Sequence, residues 1–389
     1  MLFTCRLSST SQLSKIQRTT RSFTLKGFNG NLALRYYANT NANMATGNTE
    51  KITNWVAPGD KSGEFKRGQS QFRDFIKKGG EFEPQGGRYH LFVSYACPWA
   101  HRTLIVRQLK GLQDLIPYTS VHWHMQEKGW RFATAGDSDA PGEFVRGDPV
   151  EGHEGYTHIR DVYFGVDGEY QGRFTVPCLF DMKTGRIVSN ESSEIIRMFY
   201  EEFDDLIEPK YRDVKLLPKE LEAEIDEANE WIYNDINNGV YKSGFATTEE
   251  AYTKAVKTLF GSLDRVEKHL EGMSGKGLYW FGEEITEVDV RLFTTIVRFD
   301  CVYVQHFKTN IREIRSGYPY IHKWLRNLYW NHAAFKDTTE FTHIKCHYTK
   351  SHTQINPYSI TPVGPEPPIL REDEEVPAVK YALAMAAKK

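Results

Sequence analysis

Hydrophobic and polar positions follow two different patterns along this chain, and the change between them predicts two structural parts. Residues 88–95 alternate as a strand does, residues 99–112 repeat apolar positions at helical spacing, and residues 118–124 alternate again. This order predicts a β-α-β unit. A further strand is predicted at 187–189, whereas the Gly- and Asp-rich stretch 129–172 is predicted to be mostly loop.

From Pro218 onward only helical spacing remains. Apolar stripes cover residues 221–236 and 252–270, and they are typical of helices that pack a core. Thr286 and Asp289 form a capping box that opens a helix over 290–297. The pattern therefore predicts an α/β part followed by an all-helical part. We interpret residues 55–87, ahead of the first strand, as loop with a short helix.

One cysteine lies where the first strand gives way to the first helix. The pattern places Cys97 at the helix N-cap and Pro98 at the first helical position, which suits proline because its missing N–H would have no partner there. A thiolate at an N-cap can accept the free amide hydrogens of the first turn, and such cysteines commonly have a pKa of about 3.5 to 7.5. We therefore expect Cys97 to be reactive with a lowered pKa; the alternative is an inert buried cysteine.

The chemistry expected of Cys97 uses a single thiol. A dithiol redox site would have a second cysteine at position 100, and this chain has Ala100. No neighbouring cysteine can resolve a disulfide formed by Cys97, so a second, external thiol must do so.

Two later segments have features that suit a peptide-like ligand. Pro177 heads a predicted strand, and a cis bond there would leave the backbone of Val176 free to pair with another chain; a trans proline that simply starts an edge strand is the alternative. Residues 190–196 place polar side chains before an apolar helical run. Such a helix start could bind a carboxylate or serve only as an ordinary N-cap.

Charge is distributed unevenly over the 389 residues. Residues 1–49 contain six basic and no acidic side chains, so the remainder has a net charge of −8, although the whole chain has only −2. The leader is rich in Ser and Thr, as mitochondrial transit peptides are, and a disordered basic tail is the alternative. We predict a mitochondrial protein, with initiation at Met44 as a route to a cytoplasmic form. The mildly acidic remainder argues against nucleic acid as a partner.

Cysteine number and hydropathy narrow the class further. The five cysteines show neither a CxxC pair nor a Cys/His zinc spacing, so we predict neither a disulfide framework nor a metal site. No apolar run approaches the roughly 18 to 20 residues that a spanning helix needs.

Eight motifs, in order along residues 55–365, together resemble the glutathionyl-hydroquinone reductases, also called Xi-class or omega-like glutathione transferases. They are Cys-Pro-Trp-Ala-His-Arg-Thr at 97–103, Val-His-Trp-His at 121–124, Gly-Trp-Arg-Phe at 129–132, Arg-Phe-Thr-Val-Pro at 173–177, Asn-Glu-Ser-Ser-Glu-Ile-Ile at 190–196, Asn-Asn-Gly-Val-Tyr-Lys-Ser-Gly-Phe at 237–245, Arg-Phe-Asp-Cys-Val-Tyr at 298–303 and His-Tyr-Thr-Lys-Ser-His at 347–352.

The resemblance implies the following organisation. A thioredoxin-like, glutathione-binding domain (55–205) is followed by an all-helical domain with a quinol pocket (210–350). Composition adds a leader (1–45) before them and a proline-rich, then acidic tail (351–389) after them, which we expect to wrap the protein and then become disordered. Family members associate through the helical domain, so a homodimer is implied. Glutathione would be a co-substrate, and no bound cofactor or metal is expected.

The resemblance also implies roles for individual residues. Cys97 would be the nucleophile, with Tyr241 and Tyr348 assisting it. The residues implied for glutathione are Trp130, Arg173, the backbone of Val176, Glu191 and Ser192. The residues implied for the quinol are Tyr241, Tyr303 and Tyr348, although any of these tyrosines could instead be a core residue.

The implied reaction is the reduction of a glutathionyl-hydroquinone through a disulfide between Cys97 and glutathione. Two alternatives stay open. One is a general omega-type activity on dehydroascorbate or mixed disulfides through the same cysteine, and the other is a non-catalytic binding module.

Overall fold

The computed structural model describes residues 60–134, 136–137, 155–371 and 373–374. The predicted leader, with its targeting role, and the predicted disorder at the end of the tail lie outside these residues.

A mixed four-stranded sheet forms the centre of the first part. Its strands are β1 (Tyr89–Val93), β2 (Tyr118–Ser120), β3 (Cys178–Asp181) and β4 (Arg186–Ser189), in the order β2-β1-β3-β4. Strand β1 pairs in parallel with β2 and antiparallel with β3, which pairs antiparallel with β4. All five residues of β1 are buried, as expected for a central strand.

Helices surround this sheet and make up nearly all of the second part. They are α1 (Pro98–Leu109), α2 (Ile159–Val166), α3 (Ser192–Glu201), α4 (Pro209–Arg212), α5 (Glu222–Ile232), α6 (Gly239–Gly244), α7 (Glu249–Gly272), α8 (Glu287–Arg298), α9 (Val304–His306), α10 (Ile314–Gly317), α11 (Pro319–Asn331), α12 (Ala333–Lys336) and α13 (Phe341–Ser351), with a 3₁₀ turn at Asp204–Leu206 and π-helical turns at Tyr233–Asn237 and Phe299–Tyr303. A thioredoxin-like sheet followed by a helical part confirms the predicted fold class. None of the described helices is long and apolar enough to cross a membrane.

Three local predictions differ from the structure. Residues 129–172 contain α2, which begins at a capping box formed by His158 and Asp161. The second strand ends at Ser120 rather than at 124, because His122 then donates its amide hydrogen to Arg131 O at 2.9 Å, outside the sheet. No helix forms within residues 60–87, where turns and isolated bridges alternate.

Helix α8 links the two parts of the fold. The predicted capping box is present, and Asp289 also accepts hydrogen bonds from Trp280 N and Trp324 Nε1, both at 2.8 Å. The helix is almost entirely buried and packs against α1, the helix that Cys97 opens. Because α1 lies between α3 and α8, the start of α1 faces the boundary between the two parts.

The first stretch of the tail wraps the helical part, as predicted. Arg315 Nη2 donates to Pro368 O at 2.7 Å, and Trp330 Nε1 donates to Leu370 O at 2.9 Å. Side chains of the helical part thus bind backbone carbonyls of the tail, and the tail also buries its Ile369 and Leu370 side chains.

Candidate active site

Cys97 occupies the N-cap of α1, as the sequence predicts. Its backbone is extended, with φ −79° and ψ 119°, and Pro98 follows in the first turn. The Cys97 amide donates to Ser94 O at 3.1 Å, which closes the tight turn after β1. Only 9% of the Cys97 residue is exposed, so most of it is shielded from solvent.

The predicted low pKa of Cys97 is wrong for the ligand-free protein. Burial raises the pKa of the thiol above its ordinary value, against the lowering influence of the Ala100 and Trp99 amides and of nearby arginine charges. The thiol also donates a hydrogen bond to Val176 O at 3.3 Å, which stabilises the protonated form. The helix start therefore favours the thiolate, but burial outweighs it.

A buried arginine from the helical part supports the turn that carries Cys97. Arg298, at the end of α8, donates from Nε to Ala96 O at 3.1 Å and from Nη2 to Tyr95 O at 2.8 Å. Its Nη1 donates to Thr294 O at 2.6 Å and lies 3.0 Å from His101 Nδ1. Burial and the Arg298 charge hold the pKa of His101 well below its ordinary value, so this imidazole is a neutral acceptor. Every acceptor of the guanidinium is thus uncharged, and its positive charge acts on Cys97.

Residues implied for the peptide part of glutathione lie next to Cys97 or at the start of α3. The Val176–Pro177 bond is cis, so the cis alternative considered for Pro177 is the one observed. Glu191 is the N-cap of α3 and accepts hydrogen bonds from Ser193 N and Ser193 Oγ, at 3.1 and 2.9 Å. Ordinary capping is therefore present at this helix start, and it leaves the neighbouring Ser192 hydroxyl on the same turn.

Glu191 remains ionised despite its partial burial. Burial raises the pKa of Glu191, but hydrogen bonds from Ser193 and the charge of Arg102 together lower it by more, so the net shift of the pKa is downward. Ser70 Oγ also donates to Glu191 Oε2 at 3.1 Å. An ionised carboxylate here could bind the ammonium group of a ligand.

The other two residues implied for glutathione differ in exposure. The Trp130 ring is buried and stacks on the His347 ring, with centroids 4.5 Å apart. Arg173 is exposed at the surface. Partial desolvation of its guanidinium group, and after that the positive charge of Arg67, lower its pKa.

The three tyrosines implied for the quinol form one hydrogen-bonded cluster. Tyr348 Oη lies 2.6 Å from Tyr241 Oη and 3.1 Å from Tyr303 Oη. Burial raises the pKa of Tyr241 to about 12 and those of the other two well above their ordinary value, so all three phenols are protonated. The Tyr241 ring also stacks on the ring of Trp99, which lies in the first turn of α1, with centroids 6.4 Å apart.

One segment at the site was not singled out from the sequence. Residues 63–70, here called the entrance segment, run from the start of α7 to the start of α3. The Phe65 ring packs on the Tyr241 ring at 6.1 Å, and Arg67 lies with Cζ 4.6 Å from the centroid of the Trp99 ring. The segment ends at the contact between Ser70 and Glu191. The segment is mostly polar, with Phe65 as its one large apolar residue, so its sequence gave no signal for this placement.

Metal ligands are not clustered in the described part of the chain. Within those residues, no group of three or more His, Cys, Asp or Glu side chains could hold a metal ion.

Comparison with known families accounts for both parts of the fold. Residues 96–202 match the glutathione S-transferase N-terminal domain, and residues 249–327 match the glutathione S-transferase C-terminal domain. The omega-like glutathione S-transferase 2 of Schizosaccharomyces pombe is 54% identical over 318 residues, which cover 81% of this chain and 97% of that protein. The chain belongs to the Xi-class, or omega-like, glutathione transferases.

Two further relatives of this Xi-class chain are named for a reaction and solved with a ligand, respectively. The glutathionyl-hydroquinone reductase YqjG of Escherichia coli is 44% identical over 80% of this chain and 92% of its own length. The Xi glutathione transferase ECM4 of Saccharomyces cerevisiae, solved in complex with glutathione, is 45% identical and has a TM-score of 0.75 over 80% of this chain and all of that one. The homodimer implied for this Xi-class chain stays a prediction.

Proposed function

We propose that this protein reduces glutathionyl-hydroquinones to hydroquinones with glutathione as co-substrate. The observation that carries the proposal is the position of Cys97, a single thiol without a resolving cysteine, beside a cluster of three protonated phenols. A thiol of this kind suits transfer of a glutathionyl group, and the phenols suit an aromatic, hydroxylated leaving group. Relatives named for this activity support the choice of substrate class.

The first half-reaction removes the aromatic ring from sulfur. The Cys97 thiolate attacks the glutathione sulfur of the conjugate, so a new S–S bond forms while the bond from sulfur to the ring carbon breaks. The bonding electron pair stays with the ring, and protonation of that carbon gives the free hydroquinone. The sulfur atoms are oxidised to a mixed disulfide, and the ring is reduced.

The second half-reaction restores the enzyme. A second glutathione thiolate attacks the glutathione sulfur of the mixed disulfide, and Cys97 leaves as a thiolate. The sum of the two steps converts one conjugate and one free glutathione into one hydroquinone and one glutathione disulfide, with the other glutathionyl group of the disulfide derived from the conjugate.

In this proposal the glutathionyl group binds between Val176 and the start of α3. An extended tripeptide would pair with the Val176 backbone, its ammonium group would meet Glu191, and its carboxylate end groups would accept from Ser192 and Arg173. Trp130 would pack on the tripeptide.

The phenol cluster has one proton to spare. Three hydroxyl groups joined by two hydrogen bonds use two of their three protons within the cluster. When Tyr303 donates to Tyr348 and Tyr348 donates to Tyr241, the remaining proton lies on Tyr241, the phenol whose ring packs on Trp99 in the first turn of α1. Tyr241 can then donate to the departing ring, and its two neighbours stabilise the negative charge that the transfer leaves on its oxygen.

We predict that glutathione binding activates Cys97. In the ligand-free protein burial raises the pKa of Cys97 above the ordinary value of about 8.5, and the thiol donates a hydrogen bond to Val176 O. A ligand amide that takes over Val176 O removes this hydrogen bond from the protonated form only, so the pKa should fall by about one unit or more.

The measurement is a titration of thiolate absorbance near 240 nm, taken as the difference between wild type and Cys97→Ser. Repeating it with saturating S-methylglutathione, which has no thiol of its own, should move the midpoint to lower pH. A midpoint that stays in place or rises would show that Val176 does not control the thiol.

A substrate panel tests the proposed function directly. Purified protein should turn over a glutathionyl-hydroquinone at least about tenfold faster, in kcat/KM, than dehydroascorbate or a small mixed disulfide, because only the conjugate uses both the thiol and the phenol cluster. Faster reduction of the small disulfide would favour the general omega-type activity instead. Binding of glutathione without turnover of any of the three would favour a binding module.

A further inference from the structure

We infer that Arg67 of the entrance segment binds a carboxylate of the second glutathione, the molecule that resolves the Cys97 disulfide. This inference rests on the proposed function. It assigns to the protein a separate subsite for the resolving thiol, adjacent to the subsite of the glutathionyl group.

The direction of attack fixes where the second glutathione must lie. Displacement at sulfur is collinear, so in the first half-reaction the Cys97 sulfur, the glutathione sulfur and the ring carbon lie on one line. In the second half-reaction Cys97 is the leaving group at the same glutathione sulfur. The resolving thiolate must therefore approach from the side opposite Cys97, which is the position that the ring has just left. The second glutathione thus enters the space beside Tyr241.

Arg67 lies at the edge of that space. Its guanidinium carbon is 4.6 Å from the centroid of the Trp99 ring and 5.0 Å from that of the Tyr241 ring. Its Nε donates to Asn238 Oδ1 at 2.7 Å, which fixes the group at the start of α6. The side chain is exposed, and its charge acts on both Cys97 and Tyr241.

The guanidinium has binding capacity left over. Asn238 accepts only from Nε, and among the described residues no carboxylate pairs with Arg67 and no acceptor engages its two Nη groups. Two parallel N–H groups are the donor geometry that matches a carboxylate. Its immediate neighbour Lys66, by contrast, is paired with Asp60 at 2.9 Å.

The position of Arg67 differs from that of the residues proposed for the first glutathione. Three residues farther along the entrance segment, Ser70 contacts Glu191 at the start of α3, whereas Arg67 contacts Asn238 and Tyr241 of the helical part. Arg298, the other cation that acts on Cys97, has its donors committed to neutral acceptors within the protein. Of these two arginines, Arg67 is therefore the one whose Nη groups are available to a ligand on the quinol side of Cys97. Glutathione carries two carboxylates and one ammonium group, so it presents net negative charge to this side chain.

The test separates the two half-reactions in Arg67→Gln, which keeps a donor for Asn238 but removes the charge. The mixed disulfide is first formed on Cys97 with a glutathionyl-hydroquinone and isolated, and its reduction is then followed with glutathione or with 2-mercaptoethanol. We expect reduction by glutathione to slow at least tenfold and reduction by neutral 2-mercaptoethanol to change less than twofold. The rate of the first half-reaction should change less than threefold.

Lys66→Gln is the matched control. It also removes one positive charge, at the neighbouring position, but from a side chain that is already paired with Asp60. It should leave both reductions within twofold of wild type. Equal slowing with the two thiols in Arg67→Gln would overturn the inference, since it would indicate a change in the disulfide rather than in recognition of glutathione. A loss confined to the first half-reaction would assign Arg67 to the first glutathione and would also overturn it. Absence of the first half-reaction in wild-type protein would instead contradict the proposed function itself.

Discussion

Replacing Cys97 by serine is expected to lower turnover of a glutathionyl-hydroquinone by about 10³-fold or more, as loss of a covalent nucleophile does. A serine hydroxyl has a pKa far above that of a thiol, and oxygen cannot form the disulfide that both half-reactions require. Binding should survive, because serine can donate to Val176 O as the thiol does at 3.3 Å. Steady-state turnover measures the loss, calorimetry with S-methylglutathione measures binding, and mass spectrometry should find no glutathione adduct on the variant.

A second buried cysteine provides the control for Cys97→Ser. Cys301 donates to the carbonyls of Val297 and Arg298 within the helical part, and a serine at 301 can make the same bonds. Cys301→Ser should therefore keep turnover within about twofold of wild type, since it touches no proposed substrate group. Near-wild-type turnover in Cys97→Ser, or a glutathione adduct that maps to Cys301, would refute the assigned nucleophile.

Replacing Tyr241 by phenylalanine should slow the first half-reaction by about 10²-fold, the usual scale for loss of a general acid. The variant keeps the ring and its packing on Phe65 and removes only the hydroxyl that carries the spare proton of the cluster. The second half-reaction expels a thiolate, which needs no proton, so its rate should change little. Rapid mixing with a glutathionyl-hydroquinone, followed by mass analysis of the Cys97 disulfide, measures the first step alone.

A matched pair of phenols lies outside the cluster. Tyr95 Oη and Tyr118 Oη are also 2.6 Å apart, so Tyr118→Phe breaks a hydrogen bond of the same kind and length. This control should leave both half-reactions near wild type. Equal slowing of the two half-reactions in Tyr241→Phe would contradict a role in protonating the ring and would indicate that the hydroxyl only shapes the pocket.

Features decided by neighbouring residues were predictable from the sequence. The N-cap position of Cys97 depends on the strand before it and on Pro98 after it, and the capping box of α8 depends on Thr286 and Asp289, three positions apart. Helix α2 escaped prediction for the same local reason, because His158 caps it in place of the usual serine or threonine.

Features decided by distant residues were not predictable in this way. The thiol of Cys97 is protonated partly because of Val176, which lies 79 positions away in the chain. Arg298 reaches the Cys97 turn from a separation of 202 positions. The contact between Tyr241 and Tyr348 spans 107 positions, and only the family resemblance suggested it. Burial and pKa depend on such contacts, so the direction of the Cys97 shift required the folded structure.

The bonds from Arg298 to the carbonyls of Tyr95 and Ala96 mean that the two parts of this chain must evolve as a unit. The three guanidinium nitrogens contact the Tyr95–Ala96 backbone, the Thr294 carbonyl and the His101 ring at the same time. Lysine has a single nitrogen and cannot reproduce this geometry. A redox module assembled by shuffling this first part onto an unrelated helical scaffold would inherit the cysteine without the charge beside it. Recombination between relatives should therefore succeed only when both parts come from the same parent or from parents that share this arginine.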